Sequence, residues 1–173
     1  SGLEYGDEFL QKEKALKTTF SLNLDFDHHS ALEALVYYQR IEDYIFLKPQ
    51  TKFETTIRGT FPVFRYEQTN AQIYGFDLSG NYEFVENLVA RATFSFIKGT
   101  DISNQIPLVF IPANNTSINL KYVYPKGLQL GKKRIENIEC SIEDKYVFRQ
   151  TNLNDNQDFA PTPDAYNLLS AKL

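Results

Sequence analysis

Tryptophan and methionine are absent from this sequence, and cysteine occurs once, at Cys140. A lone thiol closes no intramolecular disulfide, so cysteine usage does not report the redox compartment. With no motif around it, Cys140 is expected as a buried, small apolar residue rather than a nucleophile. Long apolar runs are also missing: nothing approaches the roughly 18 residues a membrane helix needs. That excludes a helical membrane protein and leaves open a transmembrane barrel, whose alternating strands look hydrophilic on average. An excess of charge of either sign is missing too, with a net −4 over 173 residues, which argues against a general nucleic-acid binder. There is no Gly-rich phosphate loop, no Cys/His zinc spacing and no Gly-x-Ser-x-Gly, and no helical period of useful length.

Aromatic rings are abundant instead, 14 Phe and 11 Tyr, and they fall on alternate positions. In IYGFDLSGNYEF, residues 73–84, Tyr74, Phe76, Leu78, Tyr82 and Phe84 share one parity, while Asp77, Ser79, Asn81 and Glu83 share the other. Side chains alternate faces along a strand, so this segment has an oily face and a wet face. The same division separates Leu16, Thr18, Phe20, Leu22, Leu24 and Phe26 from Lys17, Asn23 and Asp25. It recurs in Leu88–Phe96, in Thr116–Tyr124 and in Ile138–Phe148. An apolar run at 32–47 and a final AYNLLSAKL complete seven expected strands.

Their connections alternate between short (27–30, 85–87, 125–127) and long (48–60, 99–115, 151–164). Residues 1–15 are a charged, aperiodic lead-in, followed by one β segment over 16–173 with no internal boundary. The expected fold is all-β, an antiparallel up-and-down meander. Two settings satisfy the oily face. One is lipid, with short turns on one side, long loops on the other and rings as interfacial girdles. The other is a soluble β-barrel or sandwich that turns the face inward around a small apolar ligand.

Four stretches carry a family resemblance: QTNAQIYGFDLSGNYEF at 68–84, ARATFSFIKGTD at 90–101, PLVFIPANN at 107–115 and TPDAYNLLSAKL at 162–173. Together with LEALVYYQRIEDYIFLKP at 32–49, their succession resembles the carboxy-terminal part of the barrel of TonB-dependent outer-membrane receptors, particularly those of Bacteroidetes. The resemblance implies about a third of a 22-stranded transmembrane barrel, with the plug domain and closing strands outside this sequence. It further implies a location in the outer membrane, import of a nutrient such as a metal chelate, and partners in lipid, the plug and TonB. No enzymatic activity, cofactor or nucleic acid is implied, and the imported ligand is unknown. Alone, such a segment is expected to fold its oily face inward as a small closed barrel or sandwich, or to pair with a copy of itself, because an open face would be too large for water.

On this reading Asp77, Arg91, Thr93, Ser95, Asn119, Lys121 and Glu139 line the lumen, and loops 48–60, 99–115 and 151–164 form a ligand vestibule. No catalytic residue or metal ligand is assigned. His28 and His29 beside Asp25 and Asp27 suggest a metal site, but adjacent strand residues face apart, and solvated turn residues are expected. Asn152, Asn154, Asn156 and Asp158 echo a calcium loop that lacks its glycine and its terminal acid, so a polar outer loop is expected. Glu139, Glu143 and Asp144 have no nucleophile or base beside them and are expected as a solvated or lumen-facing row.

Overall fold

The computed structural model describes residues 2–130, 133–135, 138–153 and 162–173. Its strands are β1 (Leu3–Tyr5), β2 (Lys14–Asp25), β3 (Ser30–Thr56), β4 (Gly59–Val85), β5 (Leu88–Asp101), β6 (Ile106–Pro107), β7 (Asn115–Tyr124), β8 (Leu128–Leu130), β9 (Lys133–Ile135), β10 (Ile138–Val147) and β11 (Tyr166–Lys172). One nine-stranded sheet runs β11-β10-β7-β5-β4-β3-β2, with β1 added to β4 and β6 to β5; β8 and β9 form a separate hairpin. The seven strands of the main path are the seven anticipated from alternation, and every neighbouring pair along it is antiparallel. Within the lead-in, Leu3–Tyr5 lies parallel to Val63–Arg65 of β4.

Register converts alternation into two continuous faces. Leu22, Ala34, Leu78, Phe94 and Thr116 align across five strands, and so do Phe20, Val36, Phe76 and Phe96 across four. The rings along these rows touch, with Phe76 5.5 Å from Phe96 and 5.6 Å from Phe94 between centroids. On the opposite face Asp25, Ala31, Asn81, Arg91, Asn119, Glu143 and Ser170 form one row. A one-residue slip would exchange the two faces everywhere, so the pattern pins the register.

The oily face is bare. Leu16 is 68% exposed, Phe20 66% and Leu169 73%, whereas among the described residues the buried apolar side chains are Ile41, Ala71 and Leu108, which cluster, and Val63 apart from them. The chain exposes 12740 Å², where a compact monomer of 20.0 kDa exposes about 8700 Å². End strands β2 and β11 do not pair with each other, so the sheet stays open. This corrects the expectation of a small closed barrel or sandwich. Thr69, Ala71, Gly75, Gly99, Asp101 and Ser117 are all buried and all share the polar face's parity. What packing exists therefore lies on the polar side, and the oily side is left outward.

The polar stretch 48–60 is a second correction. It is a continuation of β3 and β4 rather than a loop, with Lys48 opposite Arg65, Pro49 opposite Phe64 and Thr56 opposite Gly59. Beyond Ile41 and Ala71 this hairpin outruns β2 and β5, and at about 3.3 Å per residue its projecting arm of β4 is about 40 Å long. Register shifts at Ile41/Tyr44, where Asp43 takes φ 55°, and at Pro49/Phe53 mark bulges that bend it. Gly59, at φ 127°, closes the tip in a conformation an L side chain rarely adopts. Residues 6–13 strap the base of the arm. The Gln11 amide N–H donates to Gln68 Oε1 (2.6 Å), and Gln68 Nε2 donates back to the Gln11 carbonyl (2.7 Å).

Candidate functional site at the loop end of the polar face

At the end of the sheet carrying the long connections, β5 finishes in Asp101, whose side chain is 3% exposed. One carboxylate oxygen accepts from Thr69 Oγ1 (2.6 Å) and from the Asn104 backbone N–H (3.0 Å); the other accepts from Asn104 Nδ2 (2.8 Å). Burial pushes this carboxyl up, but the hydrogen bonds from Asn104, Thr69 and the Ser103 backbone together outweigh it. They hold the group below the usual carboxylate value. The corner is pinned from both sides, since the Ile102 N–H donates to the Asn70 carbonyl (2.7 Å) and Asn70 N–H donates to Ser103 Oγ (3.3 Å).

From this corner the chain doubles back. Gln105 adopts φ 57°, β6 pairs with Thr100 and Asp101, and Leu108 N–H donates to the Gly99 carbonyl (3.1 Å). Leu108 is buried with Ile41 and Ala71, and Tyr44, Ile73 and Ile111 pack around them. Gly99 makes the room: a Cβ there would stand 2.6 Å from Ile111 Cδ1 and 3.1 Å from Leu108 Cδ1. The segment 106–114 is thus a strap folded over the polar face. Gln150 Nε2 donates to the Ile111 carbonyl (2.8 Å), and Ile97 N–H donates to Asn114 Oδ1 (3.0 Å). Phe110, at φ 59° and 65% exposed, sits on its crest.

Below the strap the polar face is threaded by paired groups. Arg91 Nε donates to Ser79 Oγ (3.1 Å) and its guanidinium reaches Glu33 (4.0 Å); Lys121 contacts Glu139 (2.7 Å), and Thr93 and Ser117 hydroxyls share a hydrogen bond (2.8 Å). Asp77 and Ser95 are register partners on the same face, as are Arg91 and Asn119. The seven residues anticipated on the wet side therefore do share one face. Its charges and hydroxyls form a polar wall in which Arg91–Glu33 and Lys121–Glu139 are pairs of opposite sign.

Other expected residues land elsewhere. Cys140 is exposed, standing opposite Tyr122 on the oily side, which corrects the expectation of burial. Asp144 is paired in register with Ile118 and Leu169 and so leaves the lumen-facing row in which Glu139 and Glu143 remain. His29 N–H donates to Asp27 Oδ1 (2.8 Å) within the 26–29 turn, and its Nδ1 lies 3.3 Å from Glu83. Among the described residues no three His, Cys, Asp or Glu side chains gather as a metal cluster. Asn154, Asn156 and Asp158 lie outside the described residues. The strap was missed by sequence reading; its signal is the apolar Leu108–Ile111 inside an otherwise polar connection.

The family model described as "TonB dependent receptor-like, beta-barrel" matches residues 1–173. Among solved structures, "Copper transporter OprC" superposes with a TM-score of 0.75 at 16% identity, over 95% of this chain and 24% of that one. "The FrpB iron transporter from Neisseria meningitidis (F3-3 variant)" superposes with a TM-score of 0.62 at 17% identity, over 98% of this chain and 24% of that one. No curated protein matches. The chain spans about a quarter of the length of those two structures.

Proposed function

Because this chain belongs to the TonB-dependent receptor-like β-barrel family, we propose that it forms barrel wall and outer loops of an outer-membrane receptor that imports a scarce nutrient. The observation that carries this reading is the two-faced open sheet. One side is a belt of bare Leu, Phe and Tyr, and the other is a wall of paired charges and hydroxyls. Lipid is the neighbour that satisfies the first, and water or a plug domain the second. The turns at 26–29 and 86–87 face the periplasm, and the β3–β4 arm and the 102–114 strap face outward.

The nutrient is of the metal-chelate class, a reading supported by the copper and iron transported by the two structural neighbours. The succession of motifs in residues 68–173 supports a receptor of the Bacteroidetes type. Import draws on a plug and on TonB, which a wall segment does not itself supply. The role is that of a receptor and transporter rather than an enzyme.

The test is made on the complete protein containing this sequence. It is expected in the outer-membrane fraction with heat-modifiable mobility, and its loss is expected to abolish TonB-dependent growth on at least one metal chelate under restriction. A protein that fractionates with soluble material, or a deletion strain that grows equally on every chelate offered, overturns the reading.

A further inference from the structure

Between the row of Thr18, Tyr38, Tyr74 and Lys98, itself left out, and the short turns, the described outward positions of the seven strands hold apolar, aromatic or uncharged side chains, with one exception. That exception is Asp144. It is exposed, its register partners are Ile118 and Leu169, and Ile142 and Tyr146 flank it on its own strand. Nor does it sit at the border of the belt. Tyr146 and Phe148, edge-to-face at 4.9 Å between centroids, lie between it and the loop end, and Cys140 and Ile142 lie between it and the other.

Among the described residues no hydrogen bond or ion pair reaches its carboxylate. On the polar face, by contrast, Glu139 is paired with Lys121. Asp144 lines a largely apolar groove of about 520 Å³ with Ile118, Leu120, Ile142 and Leu169. A carboxylate facing hydrocarbon is costly, and intramembrane acids are retained where a partner satisfies them.

We infer that the β7–β10–β11 face is a docking surface for a second membrane-embedded protein, which places a lysine or arginine side chain against Asp144. This rests on the outer-membrane reading above. Charge complementarity selects the occupant. The groove is largely apolar, and the one charged group on its wall is the Asp144 carboxylate. A carboxylate among apolar side chains suits a cationic side chain that brings its own N–H donors. Lipid tails supply no donor, and anionic headgroups would be repelled.

The experiment uses the complete receptor in its native outer membrane, with a photo-crosslinking residue in place of Leu169. A discrete protein adduct is expected. Its crosslinked peptide should contain a membrane-embedded Lys or Arg, and its yield should fall about tenfold or more with Asp144→Asn. Asp144→Lys combined with an acid at the partner's cation should restore it. Heat-modifiable mobility confirms that each variant is a folded barrel. An adduct unchanged by Asp144→Asn, a peptide without a cation, or adducts to lipid alone overturns the docking surface while leaving the receptor reading intact. A protein absent from the outer membrane overturns both.

Discussion

Ile111 occupies the space that a side chain on Gly99 would need, its Cδ1 lying 2.6 Å from where a Cβ would stand. The strap over the polar face and the missing side chain beneath it are therefore one feature. Gly99→Ala is expected to lift the strap, costing about 1–3 kcal/mol as an overpacked contact does. Because the obstacle is the end of a flexible side chain, Ile111→Ala should relieve it. The double variant should lose less than the sum of the two single changes. Hydrogen exchange at the Leu108 amide, which bonds the Gly99 carbonyl, reads the strap directly.

Gly75 is less forgiving. A Cβ there meets both the Tyr37 ring and the Phe96 carbonyl, and the carbonyl belongs to the sheet itself. Gly75→Ala is expected to lower the folded yield more than Gly99→Ala, and Tyr37→Ala should rescue it only in part. Comparison of heat-modifiable bands across the four variants checks the ranking.

Asp101 gives the loop corner an acid limit. Against the push of burial, hydrogen bonds from Asn104 and Thr69 hold its carboxyl below the ordinary value of 3.8 in the folded state. The stabilisation is therefore complete above the unfolded value and is lost as pH falls through the lower folded one. Protease cleavage between Ile102 and Gln105 should accelerate below about pH 3.8. Asp101→Ala should accelerate it at every pH, leaving Thr69 and Asn104 unsatisfied at a cost of about 1–3 kcal/mol.

Neighbouring residues 94 and 95 test which side meets lipid. Phe94→Arg places a guanidinium in the oily belt and is expected to destabilise the barrel by about 2–4 kcal/mol. Ser95→Arg points to the wet side and should stay within about 0.5 kcal/mol. Urea unfolding of the complete receptor in lipid vesicles measures both, and equal effects would refute the assignment of faces.

Cys140 offers a check without any charge. Exposed on the oily side, it should react in intact membranes with an apolar maleimide and resist a sulfonated, membrane-impermeant one. Rapid labelling by the charged reagent would place that side in water.

Alternation was legible wherever the two faces meet different media. The expected strand at 16–26 forms as Lys14–Asp25, and the one at 116–124 as Asn115–Tyr124, because a lipid or core side imposes period 2. The arm at 48–60 was illegible for the same reason inverted. Lys48, Gln50, Lys52 and Glu54 stand where the projecting ladder has water nearby, so no contrast between faces was written there. The small core was illegible because Leu108 reaches Ile41 and Ala71 only after a turn built on Asp101. Asp144 could have been read: it follows Glu143 directly, and adjacent strand residues cannot both face the lumen.

In the orientation proposed, the β3–β4 arm carries Ile57, fully bare at its tip, beyond every other strand of the sheet. Within this sheet it is the part that antibodies, phage and competing bacteria would encounter first. Its ladder is closed by its own turn and braced at the base by residues 6–13, so tip residues other than Gly59 can change without disturbing the wall below. Surveillance from outside would act on that turn, and escape from it by changes beside Gly59 would leave the wall intact.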